Sequence, residues 1–141
     1  MEAKPEVTRL FNEMIRQGTA EAKAAAAGCL FAKQTFERKP EVIQRYTEVS
    51  QRFPASPKML AKQWAAVTQH DACSRLPNIA SPTLAMTGSQ DALIPPQNAA
   101  VLAERIPDAQ TIAIDGGGHL FLIEQPMQFN EAVINFLEGL S

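Results

Sequence analysis

Cysteine is scarce in this chain of 141 residues: Cys29 and Cys73 are the only two, and they form no CxxC or other metal-ligand spacing. That excludes a disulfide framework or a structural zinc site as the source of stability, and a cytoplasmic location is the default expectation. Histidine is equally scarce, with His70 and His119 alone. No apolar run approaches the ~20 residues that a membrane-spanning helix needs. The opening MEAKPEVTRL lacks the apolar core of a signal peptide, and with Met1 at its start the short chain is expected to be itself the product of an open reading frame. A net charge of −2 is too near neutral for a nucleic-acid or anionic-membrane surface. No nucleic-acid partner, no membrane, no metal and no cofactor are therefore expected.

What is present describes one soluble globular unit. Hydrophobic residues make up 45% and charged residues 20%, and a chain of this length can bury a core unaided. The charges are unevenly placed. Residues 1–75 hold 12 Lys and Arg against 8 acids, whereas residues 76–141 hold Arg105 against 7 acids. Opposite signs favour docking of the two parts on each other or on a neighbouring chain. A blander reading is that wet helix faces simply carry more Lys and Arg. Either way the boundary falls near Leu76-Pro77, between a helical region (1–75) and a region of different period (76–141).

The first region reads as helices throughout. Val7, Leu10, Phe11, Met14 and Ile15 follow the i, i+3, i+4, i+7, i+8 template, with Pro5 early and Gly18 beyond the end. Thr19 can cap an Ala-rich helix running to about Lys33. Pro40 opens a third helix with Val42, Ile43, Tyr46 and Val49 inward. Ser56-Pro57 opens a fourth with Leu60, Trp64 and Val67 on one stripe. The second region alternates. Thr83–Thr87 is a short apolar run stopped by Gly88, Gln97–Ile106 is helical, Thr111–Ile114 is a second buried strand, and Pro126 leads into Phe129, Val133, Phe136 and Leu137. Strand, helix, strand, helix predicts two parallel neighbouring strands with helices on the faces, an α/β arrangement.

Two loops at the carboxyl ends of these strands hold the polar groups that could carry chemistry. Gly88-Ser89-Gln90-Asp91 follows the first, and Asp115-Gly116-Gly117-Gly118-His119 follows the second. Ligands and reacting groups gather at the carboxyl ends of strands in open parallel sheets. Adjacent strands would bring Asp91 and His119 together although they lie 28 residues apart. A carboxylate that accepts one imidazole N–H holds the tautomer in which the other nitrogen serves as a base. Read singly, each feature has a structural use: Asp91 as a turn residue or helix cap, the glycines as a corner, His119 as a satisfied buried histidine.

Taken together, Leu76-Pro77-x-Ile79-x-x-Pro82-Thr83-Leu84, Gly88-x-x-Asp91-x-x-Ile94-Pro95, Ala103-x-x-Ile106-Pro107, Gly118-His119, Glu124-x-Pro126, Phe129 and Phe136-Leu137 resemble the C-terminal portion of an α/β-hydrolase. That family includes esterases and lactonases. The resemblance implies that Asp91 is the acid and His119 the base of a hydrolase triad. Residues 1–75, with Gln69-His70-Asp71 just before the match, resemble the family's cap region much more loosely.

The nucleophile elbow of that family, Gly-x-Ser-x-Gly between a strand and a helix, occurs nowhere in this sequence. The oxyanion-hole loop and strands one to six of the parent sheet lack counterparts as well. Cys29 is the nearest imitation of a nucleophile, but the elbow needs a small residue where Phe31 stands and a strand where the chain is Ala-rich. Ser89 lies on the acid's own loop, away from the usual oxyanion donors. Triad members act as a unit, so a truncated hydrolase fragment, inactive alone as an esterase, is the leading expectation. The alternatives are a hydrolase completed by a partner chain that carries the elbow, and a non-catalytic interaction module. Weak hydrolysis in which His119 activates water directly is a further option, worth ~10²–10⁴-fold. A two-stranded sheet with an unpaired edge at 83–87 needs cover. The expected remedy is a homodimer, by antiparallel pairing of that edge with its twofold mate or by helix exchange.

Overall fold

Five helices fill the first part of the chain, and each boundary has a local cause. The computed structural model describes residues 5–140, except for the side chains of Ala20 and Lys23. Helix α1 (Pro5–Gln17) stops at Gly18, whose φ of +66° lets its N–H donate to the Met14 carbonyl at 2.9 Å. Thr19 then caps α2 (Ala20–Ala27) by accepting from the Ala22 N–H at 3.2 Å. After α3 (Lys33–Arg38), Pro40 occupies the first turn of α4 (Pro40–Arg52). In α5 (Pro57–Gln69), Ser56 accepts from the Met59 N–H at 3.2 Å and Pro57 fills the first turn.

One expected boundary is corrected. The Ala-rich helix ends at Ala27 rather than near Lys33. Residues 28–31 form turns instead, and the reason is tertiary. Phe31 and Ala32 are 4% and 1% exposed, packed beneath the rest of the chain, and the Leu30 carbonyl accepts from the Leu120 N–H at 2.9 Å. A continuous helix would commit that carbonyl to its own ladder.

The second part opens with a 3₁₀ turn (Leu76–Asn78) and then holds strand β1 (Leu84–Gly88), α6 (Gln97–Arg105), β2 (Gln110–Ile114), a short α7 (Phe121–Glu124) and α8 (Pro126–Glu138). The strands pair in parallel, from Leu84 opposite Gln110 to Gly88 opposite Ile114. Helix α6 packs on both strands and α8 on β2. This is the expected strand-helix-strand-helix order, with α7 as an addition that the sequence pattern does not reveal.

The core is small. Eleven hydrophobic residues are buried among those described, five of them alanines, while thirteen large hydrophobic side chains are exposed. Helices α4, α5 and α8 bury no residue fully. Of the α1 and α5 stripes only Val7 is buried in the core. The two stripes face each other, with Phe11 stacked on Trp64 at a centroid distance of 5.3 Å, and wall a cavity.

Candidate active site

The two loops at the carboxyl ends of β1 and β2 lie against each other. The Ser89 and Gln90 N–H groups donate to the Ile114 and Gly117 carbonyls at 3.0 and 2.8 Å. Glycine is required at position 88, because a Cβ there would collide with the carbonyls of Gly117 and Gly118.

This close approach delivers the expected pair. His119 Nδ1 lies 2.9 Å from Asp91 Oδ2. The other carboxylate oxygen, Oδ1, accepts the N–H groups of Leu93 and Ile94 at 2.9 and 2.8 Å. Asp91 is thus pinned by backbone on one oxygen and free to orient imidazole with the other. Its side chain is 5% exposed, against 33% for His119. The carboxylate is sequestered and the imidazole stays accessible, which is the division of labour an acid–base pair needs.

His119 opens onto a cavity of 740 Å³. Phe11, Met14 and Ile15 of α1, Leu60, Trp64 and Val67 of α5, and Leu93 and Ile94 behind Asp91 supply its apolar wall. His70, at the end of α5, lines it too, so both histidines of the chain share one cavity. Among the described residues, no Lys, Arg, Asp or Glu contributes to that lining. Among the described residues, no hydroxyl or thiol is hydrogen-bonded to His119 Nε2.

Neither residue weighed as a nucleophile lines the cavity of His119. Ser89 Oγ accepts from the Gly116 N–H at 2.8 Å and donates to Asp115 Oδ1 at 3.3 Å, which makes it a clamp between the loops. Cys29 sits in the turns after α2, where burial, and after it the Glu6 carboxylate, push its thiol above the ordinary range. A thiol so shifted holds less thiolate at neutral pH and is a weaker nucleophile. Among the described residues, no group of three or more His, Cys, Asp or Glu side chains is placed to hold a metal ion. No helix among them is long and apolar enough to cross a membrane.

Sequence reasoning missed Glu124 as more than part of a pattern. It is 1% exposed, and its carboxylate accepts from Ala32, Thr35 and Gly118. The available signal was a lone charge closing the apolar run Leu120-Phe121-Leu122-Ile123, a hint that the whole run is buried with its acid.

The family model for the alpha/beta hydrolase fold matches residues 7–126. The chain belongs to this family. RutD of Caulobacter sp. strain K31, which carries the name of a carbamate hydrolase, is 37% identical over 87 residues, covering 62% of this chain and 32% of that protein. A thermophilic esterase from Thermogutta terrifontis superposes with a TM-score of 0.78 at 27% identity, over 98% of this chain and 52% of the esterase. The enol-lactonase of Burkholderia xenovorans LB400 gives a TM-score of 0.82 at 23% identity and shares the fold, over 97% of this chain and 52% of its own. The chain thus spans about half the length of these solved structures and about a third of the curated relative.

Proposed function

We propose that these residues form the acid–base and cap portion of a carbonyl-group hydrolase, inactive by themselves as an esterase because no nucleophile faces the base. The observation that carries this reading is the Asp91–His119 pair at 2.9 Å, whose imidazole opens onto the cavity with no hydroxyl or thiol bonded to Nε2 among the described residues. An esterase and a named carbamate hydrolase among the similar proteins support carbonyl chemistry.

The chemistry follows from the pair. A serine presented at Nε2 would lose its hydroxyl proton to His119 as its oxygen attacked a substrate carbonyl carbon. Asp91 would stabilise the imidazolium through Nδ1–H. His119 would then return the proton to the departing oxygen or nitrogen as the carbonyl re-formed. The uncharged, aromatic-walled cavity suits a neutral apolar acyl or alkyl group, since an ion entering it would shed water without a countercharge.

The test is hydrolysis of p-nitrophenyl acetate by the purified chain beside its His119→Ala variant. The expected result is no rate above background for either. A rate in the parent chain that His119→Ala abolishes would overturn the reading, because a nucleophile or activated water would then exist within this chain.

A partner is the second part of the proposal, favoured by the exposed apolar side chains and the bare sheet edges. Met127, Ile134, Leu137 and Leu140, on α8 and just beyond it, are 80%, 52%, 56% and 49% exposed. Strands β1 and β2 pair with each other alone among the described residues. Such surfaces are costly in water and invite strand addition. We place a second copy there, with β1 pairing antiparallel to its mate. A partner chain bearing the nucleophile elbow and a purely non-catalytic interaction module are the competing occupants. Size-exclusion chromatography with light scattering should give twice the mass of one chain, and a sharp peak at the mass of one chain would overturn the dimer.

A further inference from the structure

We propose that Glu124 is the positioning residue that holds His119 toward Asp91, and that it does so by tying the histidine loop to the helical half of the chain. Its Oε2 accepts from the Gly118 N–H at 2.6 Å, while Oε1 accepts from the Ala32 N–H at 2.8 Å and the Thr35 hydroxyl at 2.5 Å. The three donors come from chain positions 6, 92 and 89 residues away. Both oxygens of the carboxylate are taken, and among the described residues no other large side chain is so fully buried.

The position of these bonds along the chain is what points to His119. On one side of the histidine, the Gly118 N–H is held by Glu124. On the other, the Leu120 N–H donates to the Leu30 carbonyl at 2.9 Å. Gln34 Nε2 adds a bond to the Gly116 carbonyl at 2.7 Å. The backbone that carries the imidazole is thus fixed on both flanks beyond the end of β2, directly by Leu30 and Gln34 and, through Glu124, by Ala32 and Thr35. Gly118 makes this possible, since a Cβ there would collide with the backbone of Phe31 and Ala32. The Lys39 ammonium, donating to the Glu124 carbonyl at 2.7 Å, closes the same seam from outside.

A carboxylate is chemically required because donors approach both of its oxygens. Glutamine has the same shape but one acceptor only. With its oxygen toward Ala32 and Thr35, its NH₂ would face the Gly118 N–H, donor against donor. Flipped, it would face the other two donors. Glu124→Gln therefore preserves volume and reverses one side of the tie.

The inference rests on the acid–base reading of Asp91 and His119, but its readout needs no turnover. The two histidines of the ¹⁵N-labelled full chain are followed by long-range ¹H–¹⁵N spectra, with His70 as the internal reference. In the parent chain His119 is expected as the Nδ1–H tautomer with a proton protected by Asp91. In E124Q that proton should exchange about tenfold faster or more, as expected when a charge-assisted buried hydrogen bond is lost, and the tautomer bias should fall while His70 stays unchanged. Should E124Q fail to fold, Thr35→Val carries the test. It removes one donor from Oε1, lets the carboxylate shift, and should speed exchange about threefold. His119 spectra identical to the parent in whichever variant folds, even with lowered stability, would make Glu124 a purely structural tie and overturn the proposal. A parent chain without the Nδ1–H tautomer would overturn the acid–base pair and this proposal together.

Discussion

Glu124→Ala is expected to remove about 3–5 kcal/mol of folding stability, a large share of what a domain of this size possesses. The substitution strands two buried backbone N–H groups, those of Ala32 and Gly118, and the Thr35 hydroxyl. Each orphaned donor costs about 1–3 kcal/mol, and the relief of no longer burying a carboxylate returns part of that sum. Thr35 is itself 3% exposed, so its hydroxyl cannot turn to bulk water. Urea unfolding followed by far-UV circular dichroism measures the effect. A loss below about 1 kcal/mol would mean that water enters and takes over the three donors, which would undercut the view of this site as dry.

The second large effect is expected at Phe31, 4% exposed and placed edge-on to Tyr46 and Phe36 at centroid distances of 5.3 and 6.1 Å. Phe31→Ala deletes one of the few large buried side chains in a core otherwise rich in alanine, at a cost of about 3–5 kcal/mol. The neighbouring Leu30 carbonyl accepts from Leu120, and the Ala32 N–H donates to the Glu124 carboxylate that accepts from Gly118, so loosening here should spread to the loop of the pair. Two probes separate this from a local effect. Trp64 is the single tryptophan and reports on the helical half, while far-UV dichroism reports on the whole. Their urea transitions should coincide in the parent chain and shift together in the variant. An early, separate fluorescence transition would show that the helical half unfolds independently, contrary to the bonds that join 30–39 to 116–124.

Both predictions fall on contacts that no local pattern announces. Periodicity and turn residues placed α1, α6, both strands and the starts of α4, α5 and α8 to within a residue or two, because an amphipathic stripe and a short apolar run are properties of neighbouring residues. The capping pairs at Thr19 and Ser56-Pro57, and the stop at Gly18, were legible for the same reason. The Ala-rich segment was overextended because alanine favours helix everywhere, while the force that ends α2 comes from the burial of Phe31 and Ala32. The apolar stripes of α1 and α5 were legible too, but not their destination: a stripe shows which side avoids water, and not whether it meets a core or a cavity.

The candidate site divides along the same line. The sequence alone brought Asp91 and His119 forward as neighbours, since two parallel strands joined by one helix place their carboxyl-end loops side by side, and the structure puts the two groups 2.9 Å apart; their acid and base roles rest on the family resemblance. The sequence also determined that no Gly-x-Ser-x-Gly elbow is present. Only the tertiary structure decided what holds the pair in place. Glu124 with Ala32 and Thr35, Gln34 with Gly116, and the Leu30 carbonyl with Leu120 are joined across chain separations of 82 residues or more, and which buried donor meets which acceptor depends on how the chain returns on itself. Glu124 can bury because donors, two of them from a distant segment, converge on both of its oxygens, and that convergence exists in the folded chain and nowhere in its sequence.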